Sequence, residues 1–216
     1  MNTDALIDRL AESATPVQRL KPAWVRAAGW LALGVPPLLA IAFIDGIRTY
    51  PRDFIGDGGR LIEVAAILAT AATAAIAALA ATVPGASRKW LLLPLLPLAI
   101  WLANIGKACI ADWLRFGAGG LLLRVDGPCF PAMVAMSIVP TAAMLIMLRC
   151  GAPIHPRSTL ALAALAIAAL TNLGLRLIHG PDISITALVW SFATVAIIAI
   201  IAERRGAHVI GWPHLR

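Results

Sequence analysis

Three cysteines carry the most distinctive side-chain chemistry in this sequence. Cys109 and Cys129 flank a polar stretch of the chain, and Cys150 follows the next apolar run. Two thiols on either side of one loop can form a disulfide, respond to oxidants or bind soft metals, whereas a lone buried cysteine is ordinarily a small apolar residue. Both interpretations stay open, and Cys109 and Cys129 are the candidate residues for redox or signal sensing.

The residues that enzymes use are not arranged for catalysis. The sequence has no Gly-rich phosphate loop and no His-Glu-x-x-His pair, and Gly85-Ala86-Ser87 lacks the later glycine of a nucleophile elbow. The histidines do not cluster with acids or cysteines at ligand spacing; they are His155, His179, His208 and His214. We therefore expect no catalytic residue, no metal site and no cofactor.

A few polar residues interrupt the apolar runs: Glu63, Asn104, Asn172 and Arg176. Polar groups inside a membrane can mark a transport path, which makes a small transporter or channel the alternative function. The simpler interpretation is that Glu63 reaches the headgroups from a helix end and that Arg176 snorkels to the interface. The two asparagines are then expected to hydrogen-bond between helices.

The elements that carry these residues are long and apolar. Of 216 residues, 60% are hydrophobic and only 13% are charged, whereas a soluble domain is about half apolar and a quarter charged. A bilayer core requires about 20 helical residues, and the runs lack the alternation of a β-barrel. We predict an all-α bundle of about six transmembrane helices, at 27–46, 62–83, 89–106, 130–148, 159–178 and 184–202.

Two of these spans and one connection have particular features. Pro94 and Pro97 interrupt the third span, and the stretch 107–129 is too polar to cross, so it is predicted to be a loop with a short interfacial helix around 110–116. The second and fifth spans are rich in alanine and are predicted to form the centre of the bundle. Their alanines include Ala65, Ala69, Ala74, Ala78, Ala161, Ala164 and Ala168.

The net charge of +7 fits membrane topology better than direct nucleic-acid binding, for which no basic module is present. With six spans, the face that carries both termini holds 11 Lys and Arg against 4 acids, and the other face holds 7 of each kind. Excess Lys and Arg mark the cytoplasmic side. We therefore predict three regions: a cytoplasmic segment 1–26, a transmembrane domain 27–203 and a cytoplasmic tail 204–216.

The N-terminal segment is predicted to contain a short amphipathic helix. Its apolar stripe and the apolar residues that follow it are Leu6, Ile7, Leu10, Ala11, Val17 and Leu20. A helix this short is marginal alone and gains stability by covering its apolar stripe with a membrane surface or a partner groove. Because its polar face is mostly acidic, with Asp4, Asp8 and Glu12, a protein partner is favoured over the membrane.

In the order of its short motifs, the chain resembles the NrsF-like anti-sigma factors of proteobacteria. The matching residues are Asp4-Ala5-Leu6-Ile7, Leu10-Ala11, Pro16-Val17, Val83-Pro84-Gly85, Ser87-Arg88, Cys109, Asp112-Trp113, Cys129-Phe130, Leu148-Arg149, Gly151-Ala152-Pro153, Pro156, His179, Pro181-Asp182 and Val189-Trp190. The chain departs from the family pattern at Gly180, where a further cysteine is expected, and at Ser191, which replaces a frequent histidine. Both departures bear on any sensing mechanism that uses those groups.

The resemblance implies a six-helix protein of the bacterial inner membrane. Such a protein holds an extracytoplasmic-function sigma factor through its cytoplasmic N-terminal segment and releases it under stress, in association with cysteines that respond to metals or oxidants. From the resemblance we expect a sigma factor as protein partner, the lipid bilayer as surroundings, and no direct contact with nucleic acid.

Overall fold

The computed structural model describes residues 3–13, 20–45, 58–117, 129–151 and 155–178. Most of these residues are helical, and none of them forms a strand. The helices are α1 Thr3–Glu12, α2 Ala23–Asp45, α3 Gly58–Ala80, a 3-10 helix Arg88–Leu92, α4 Leu95–Phe116, α5 Cys129–Arg149 and α6 Pro156–Ile178. The prediction of an all-α fold is confirmed.

Four stretches of the described residues are long and apolar enough to cross a bilayer: Ala23–Ile44, Gly58–Ala80, Lys89–Arg115 and Pro156–Ile178. A fifth apolar stretch, Met133–Arg149, is shorter. The first, second, fourth and fifth predicted spans therefore each overlap one helix. The sixth predicted span, 184–202, and the tail 204–216 lie outside the described residues.

The third predicted span is wrong in two respects. Pro94 and Pro97 do not kink one helix, because the chain divides into the 3-10 helix and α4, with Pro94 as the N-cap of α4. Pro97 falls in the first turn of α4, where a backbone N–H has no helical acceptor and none is lost. At the other end, α4 continues to Phe116 and includes residues predicted as loop.

The extension of α4 has a simple cause. From Lys107 to Phe116 the sequence contains neither glycine nor proline, so nothing in it interrupts helical hydrogen bonding. Gly117 ends the helix with a φ of 60°, and its N–H bonds to the carbonyl of Trp113. The short helix predicted at 110–116 is thus the last part of α4.

α3 and α6 form the most extensive helix pair and lie at the centre of the described bundle. Ala74 and Ala78 of α3 are buried, as are Ala164 and Ala168 of α6, and small side chains of this kind allow close helix approach. The prediction for these helices is confirmed, although Ala65 and Ala69 point outward.

α2 and α5 contact each other where both contain proline. Pro36 and Pro37 lie within α2 and Pro140 lies within α5, and a proline removes a hydrogen bond from its helix. The buried Trp30 Nε1 donates to the Pro140 carbonyl at 2.9 Å. A Cβ on Gly34 would lie 3.4 Å from Pro140 Cγ, so the glycine permits this close packing.

Candidate partner-binding site

The N-terminal helix α1 exposes its apolar side chains. Leu6 is 42% exposed and Ile7 is 57% exposed, and Ala11 is also exposed. Apolar residues placed on one stripe of a short helix are usually covered by another element. The described residues leave Leu6 and Ile7 largely uncovered, so this surface is available to a partner.

The remaining predicted partner-binding residues have different outcomes. Leu10 belongs to α1, but its side chain is outside the described residues, as is all of Val17. Leu20 lies shortly before α2 and is 42% exposed. The structure therefore brings Leu6, Ile7 and Ala11 together on one helix, and partner binding by all six residues stays a prediction.

Arg26, in the first turns of α2, joins three helices at one end of the bundle. Its Nη1 donates to Thr82 Oγ1 at 3.2 Å and to the Leu79 carbonyl at 3.4 Å, and its Nη2 donates to the Met147 carbonyl at 2.6 Å. Leu79 and Met147 lie in the last turns of α3 and α5, whose carbonyls lack helical donors and favour a nearby cation. We call this the Arg26 end.

Sequence reasoning counted Arg26 only as a topology charge and missed this junction. Its acceptors include two backbone oxygens far along the chain, and no side-chain pattern marks them. Gly151 lies against the same junction, because a Cβ added there would lie 2.6 Å from Thr82 Oγ1. The Arg26 end is consequently packed tightly around Thr82.

A cleft of about 200 Å³ opens beside the Arg26 end. Two of its apolar lining residues, Val83 and Trp90, are 43% and 42% exposed. The complete lining is Ala81, Val83, Gly85, Ala86, Ser87, Trp90, Leu91, His155 and Ser158. The cleft therefore lies between the end of α3, the 3-10 helix and the start of α6.

A comparison with protein families identifies the family of this chain. The family model NrsF, described as Negative regulator of sigma F, matches residues 10–212. This chain belongs to the NrsF family. The match covers most of the chain, and the family implies a negative regulator that acts on a sigma factor. No curated protein and no solved structure matches the chain.

The NrsF match also bears on the site. It begins at residue 10, so Leu6 and Ile7 precede the matched region, whereas the Arg26 junction and the cleft lie within it. NrsF is a family of regulators, which are not normally enzymes. The exposed stripe of α1 and the cleft beside the Arg26 end are therefore candidate protein-binding surfaces.

At the opposite end of this NrsF bundle, an ion pair joins α3 to α6. Arg176 Nη2 lies 2.5 Å from Glu63 Oε1, and the two side chains are only 13% and 18% exposed. Sequence analysis treated Glu63 and Arg176 separately, whereas in the structure each is the charged partner of the other. Their distance in sequence hid the pairing.

The structure describes part of the cysteine arrangement in the NrsF chain. Cys109 is half-buried within α4 and packs against the core, not at the edge of a loop. Cys129 begins α5, and its thiol is outside the described residues. Cys150 is exposed, and its Sγ donates to the Ile146 carbonyl at 3.3 Å. Sensing by Cys109 and Cys129 stays a prediction.

Proposed function

We propose that this NrsF-family chain is an anti-sigma factor anchored in the bacterial inner membrane. Its N-terminal segment 1–26 holds an extracytoplasmic-function sigma factor in the cytoplasm, residues 27–203 form the membrane anchor, and 204–216 is a cytoplasmic tail. Stress releases the sigma factor. The observation that carries the proposal is the exposed apolar stripe of α1, in a chain whose family regulates a sigma factor.

Membrane anchoring is supported by the outward faces of the long helices. Large apolar side chains there are at least 63% exposed, namely Phe43, Ile44, Leu96, Leu114 and Ile146. A soluble monomer rarely exposes extensive apolar surface, whereas lipid tails solvate such side chains. Together with the length and hydropathy of the helices, this favours a bilayer as the surroundings.

The orientation is supported by the order of the helix ends. The contacts of Arg26 with Leu79, Thr82 and Met147 bring the start of α2 together with the ends of α3 and α5. Six spans that cross the membrane in alternating directions require the start of the first span and the ends of the second and fourth spans to lie on the same side. The basic loops then share a face with the N-terminus. That face is the proposed cytoplasmic side, where a sigma factor is found.

In this proposal, the membrane protein and RNA polymerase compete for the sigma factor. RNA polymerase obtains it only when the membrane protein binds it less tightly. A signal changes the outcome through different affinities in two states of the membrane domain. The described residues provide no observation that favours a transporter, and proteoliposome flux is the assay that would reveal one.

The experiment that tests the proposal replaces two apolar residues of α1 with charge. Leu6→Asp with Leu10→Asp removes two leucines that each contribute about 1.5–3 kcal/mol when buried, so the affinity for the sigma factor is expected to fall at least about 100-fold. Co-purification of the sigma factor from membranes measures the loss, with membrane insertion monitored in parallel.

A matched control adds the same negative charge to the other face of α1. Ala5→Asp with Arg9→Gln changes the net charge by the same amount but leaves Leu6 and Leu10 in place. It is expected to retain the sigma factor. Retention by the Leu6→Asp, Leu10→Asp variant, or equal loss in both variants, would contradict binding through the apolar stripe.

A further inference from the structure

The cleft beside the Arg26 end and the stripe of α1 are complementary in size and polarity. A cavity of about 150 Å³ accepts a benzene molecule, so a cleft of about 200 Å³ has room for a branched aliphatic side chain. Val83 and Trp90 offer apolar surface at the cleft, and Leu6 and Ile7 are exposed aliphatic residues on α1. Burying one group against the other removes both from water.

Charge favours the same pairing. Residues 81–94 contain Arg88 and Lys89 but no acid, and residues 149–159 contain Arg149 and Arg157 but no acid. The acids of α1 outnumber its one base, Arg9; they are Asp4, Asp8 and Glu12. Opposite charges within about 8 Å attract at physiological ionic strength, so the basic segments around the cleft would stabilise an α1 docked there.

The chain is long enough for α1 to reach the cleft. Residues 13–22 join α1 to α2, and ten residues span at most about 35 Å. The far end of this linker is close to the cleft, because Arg26 contacts Thr82, which lies between the lining residues Ala81 and Val83. Covalent geometry therefore permits intramolecular docking.

We propose that the cleft beside the Arg26 end is a docking site for α1 of the same chain. The apolar stripe of α1 then alternates between the cleft and the sigma factor, so the inference rests on the proposed function. With docking, the apparent association constant for the sigma factor is the intrinsic constant multiplied by the fraction of α1 that is free. If α1 is docked for nine-tenths of the time, this affinity falls about tenfold.

A disulfide-trapping experiment tests the docking in membrane vesicles that contain the full chain. Cys109, Cys129 and Cys150 are replaced with alanine, and Ile7→Cys is combined with Ser158→Cys. A protease site within 14–19 allows a cross-linked chain to be recognised, because its two fragments stay joined after cleavage without reductant. The matched control carries Ala5→Cys in place of Ile7→Cys, which moves the thiol to the opposite face of α1.

We expect the Ile7→Cys chain to cross-link about fivefold more than the Ala5→Cys chain, the ratio that a modest preference of about 1 kcal/mol gives. Saturating purified sigma factor should then suppress the cross-link. Equal yields from the two chains, as expected if α1 lies on the lipid surface, would overturn the proposal. So would a cross-link that persists although the sigma factor is bound.

The two proposals fail in distinguishable ways. If the sigma factor does not bind the chain in a pull-down, the proposed function is wrong, while the ratio of the two cross-linking yields still decides whether the cleft accepts α1. If the sigma factor binds and the yields are equal, only the docking is wrong.

A pair of charge variants at the exposed Val83 provides an independent measurement. Val83→Asp repels the acidic α1 and should raise the apparent affinity for the sigma factor several-fold, up to about tenfold. Val83→Lys attracts α1 and should leave this affinity unchanged or lower it. Equal effects of both substitutions would overturn the proposal.

Discussion

The two ends of the bundle are held together by different kinds of charged contact. At one end, Arg26 bonds to neutral oxygens of Thr82, Leu79 and Met147. At the other end, Arg176 pairs with the charged Glu63. Loss of Arg26 leaves the Met147 carbonyl without this donor, while Thr82 Oγ1 still donates to the Leu79 carbonyl. Loss of one partner from the ion pair leaves a largely buried charge, which is more costly. We therefore expect loss of the ion pair to destabilise the chain more than loss of the Arg26 contacts.

Such a difference is useful in a regulator that binds its partner at only one end of the bundle. The segment that carries α1 joins the bundle four residues before Arg26, at Pro22, so changes among the ends of α2, α3 and α5 are next to it. Substitutions at the two ends should therefore differ in their effect on stability.

The largest effect is expected at the ion pair. Arg176→Met leaves Glu63 uncompensated and should lower the free energy of unfolding by about 3–5 kcal/mol, which lowers the unfolding midpoint by roughly 6–20 °C for a chain of this size. Thermal unfolding in detergent micelles measures it. Adding Glu63→Leu to Arg176→Met should restore most of the loss. A double variant as unstable as the single one would show that the pairing contributes little.

A smaller effect is expected at the Arg26 end. Arg26→Met removes hydrogen bonds from a charged donor but leaves no charge buried, so the free energy of unfolding should fall by about 2–3 kcal/mol. Arg26→Lys keeps the positive charge without the forked geometry that reaches two helices. Its free energy of unfolding should lie between those of the unsubstituted chain and Arg26→Met. If Arg26→Met destabilises the chain more than Arg176→Met does, the comparison between the ends is reversed.

Packing around Thr82 predicts a third effect. Gly151→Ala places a Cβ 2.6 Å from Thr82 Oγ1 and should cost about 1–3 kcal/mol by overpacking. Gly106→Ala is the matched control, because a Cβ at this helical position meets nothing within 4 Å, and alanine favours a helix. The unfolding midpoints of the two variants measure the difference. Equal midpoints would mean that the Arg26 end yields to the added methyl group.

The smallest effect on stability is expected for the thiols, whose substitution should act on signalling. Cys109 lies in the half of α4 away from the Arg26 end, and Cys129 begins α5 at the same side. If they sense stress, Cys129→Ser should blunt induction of a sigma-dependent reporter by about fivefold or more. Cys150→Ser, at the Arg26 end, is the control and should leave induction unchanged. An unaltered response in Cys129→Ser would remove that thiol from the mechanism.

Sequence patterns located most of the helices but not the contacts between them. The apolar runs that contain α2, α3 and α6 fit the length rule for a bilayer, and their alanines marked the central pair. α4 was predicted too short because its later turns, around Lys107 and Arg115, contain charges, although charge alone does not end a helix.

No local sequence pattern indicates the tertiary contacts. Glu63 and Arg176 each looked like a residue at a helix end, and only the packing of α3 on α6 shows that they meet. The Arg26 junction and the cleft depend on how the ends of five segments come together in space: α2, α3, α5, α6 and the 3-10 helix. Residue type predicted the exposed stripe of α1, since hydrophobic spacing is itself a local property.

Arg26 has one consequence for the comparison of related sequences. Two of its acceptors are the main-chain oxygens of Leu79 and Met147, which every amino acid provides. Substitutions at positions 79 and 147 can therefore accumulate without disturbing the guanidinium, and paired changes between those positions and 26 have no reason to arise. The bonds from Arg26 to these two carbonyls would thus leave no trace in residue covariation, unlike its bond to the side chain of Thr82, and mutation of the arginine itself is what reveals them.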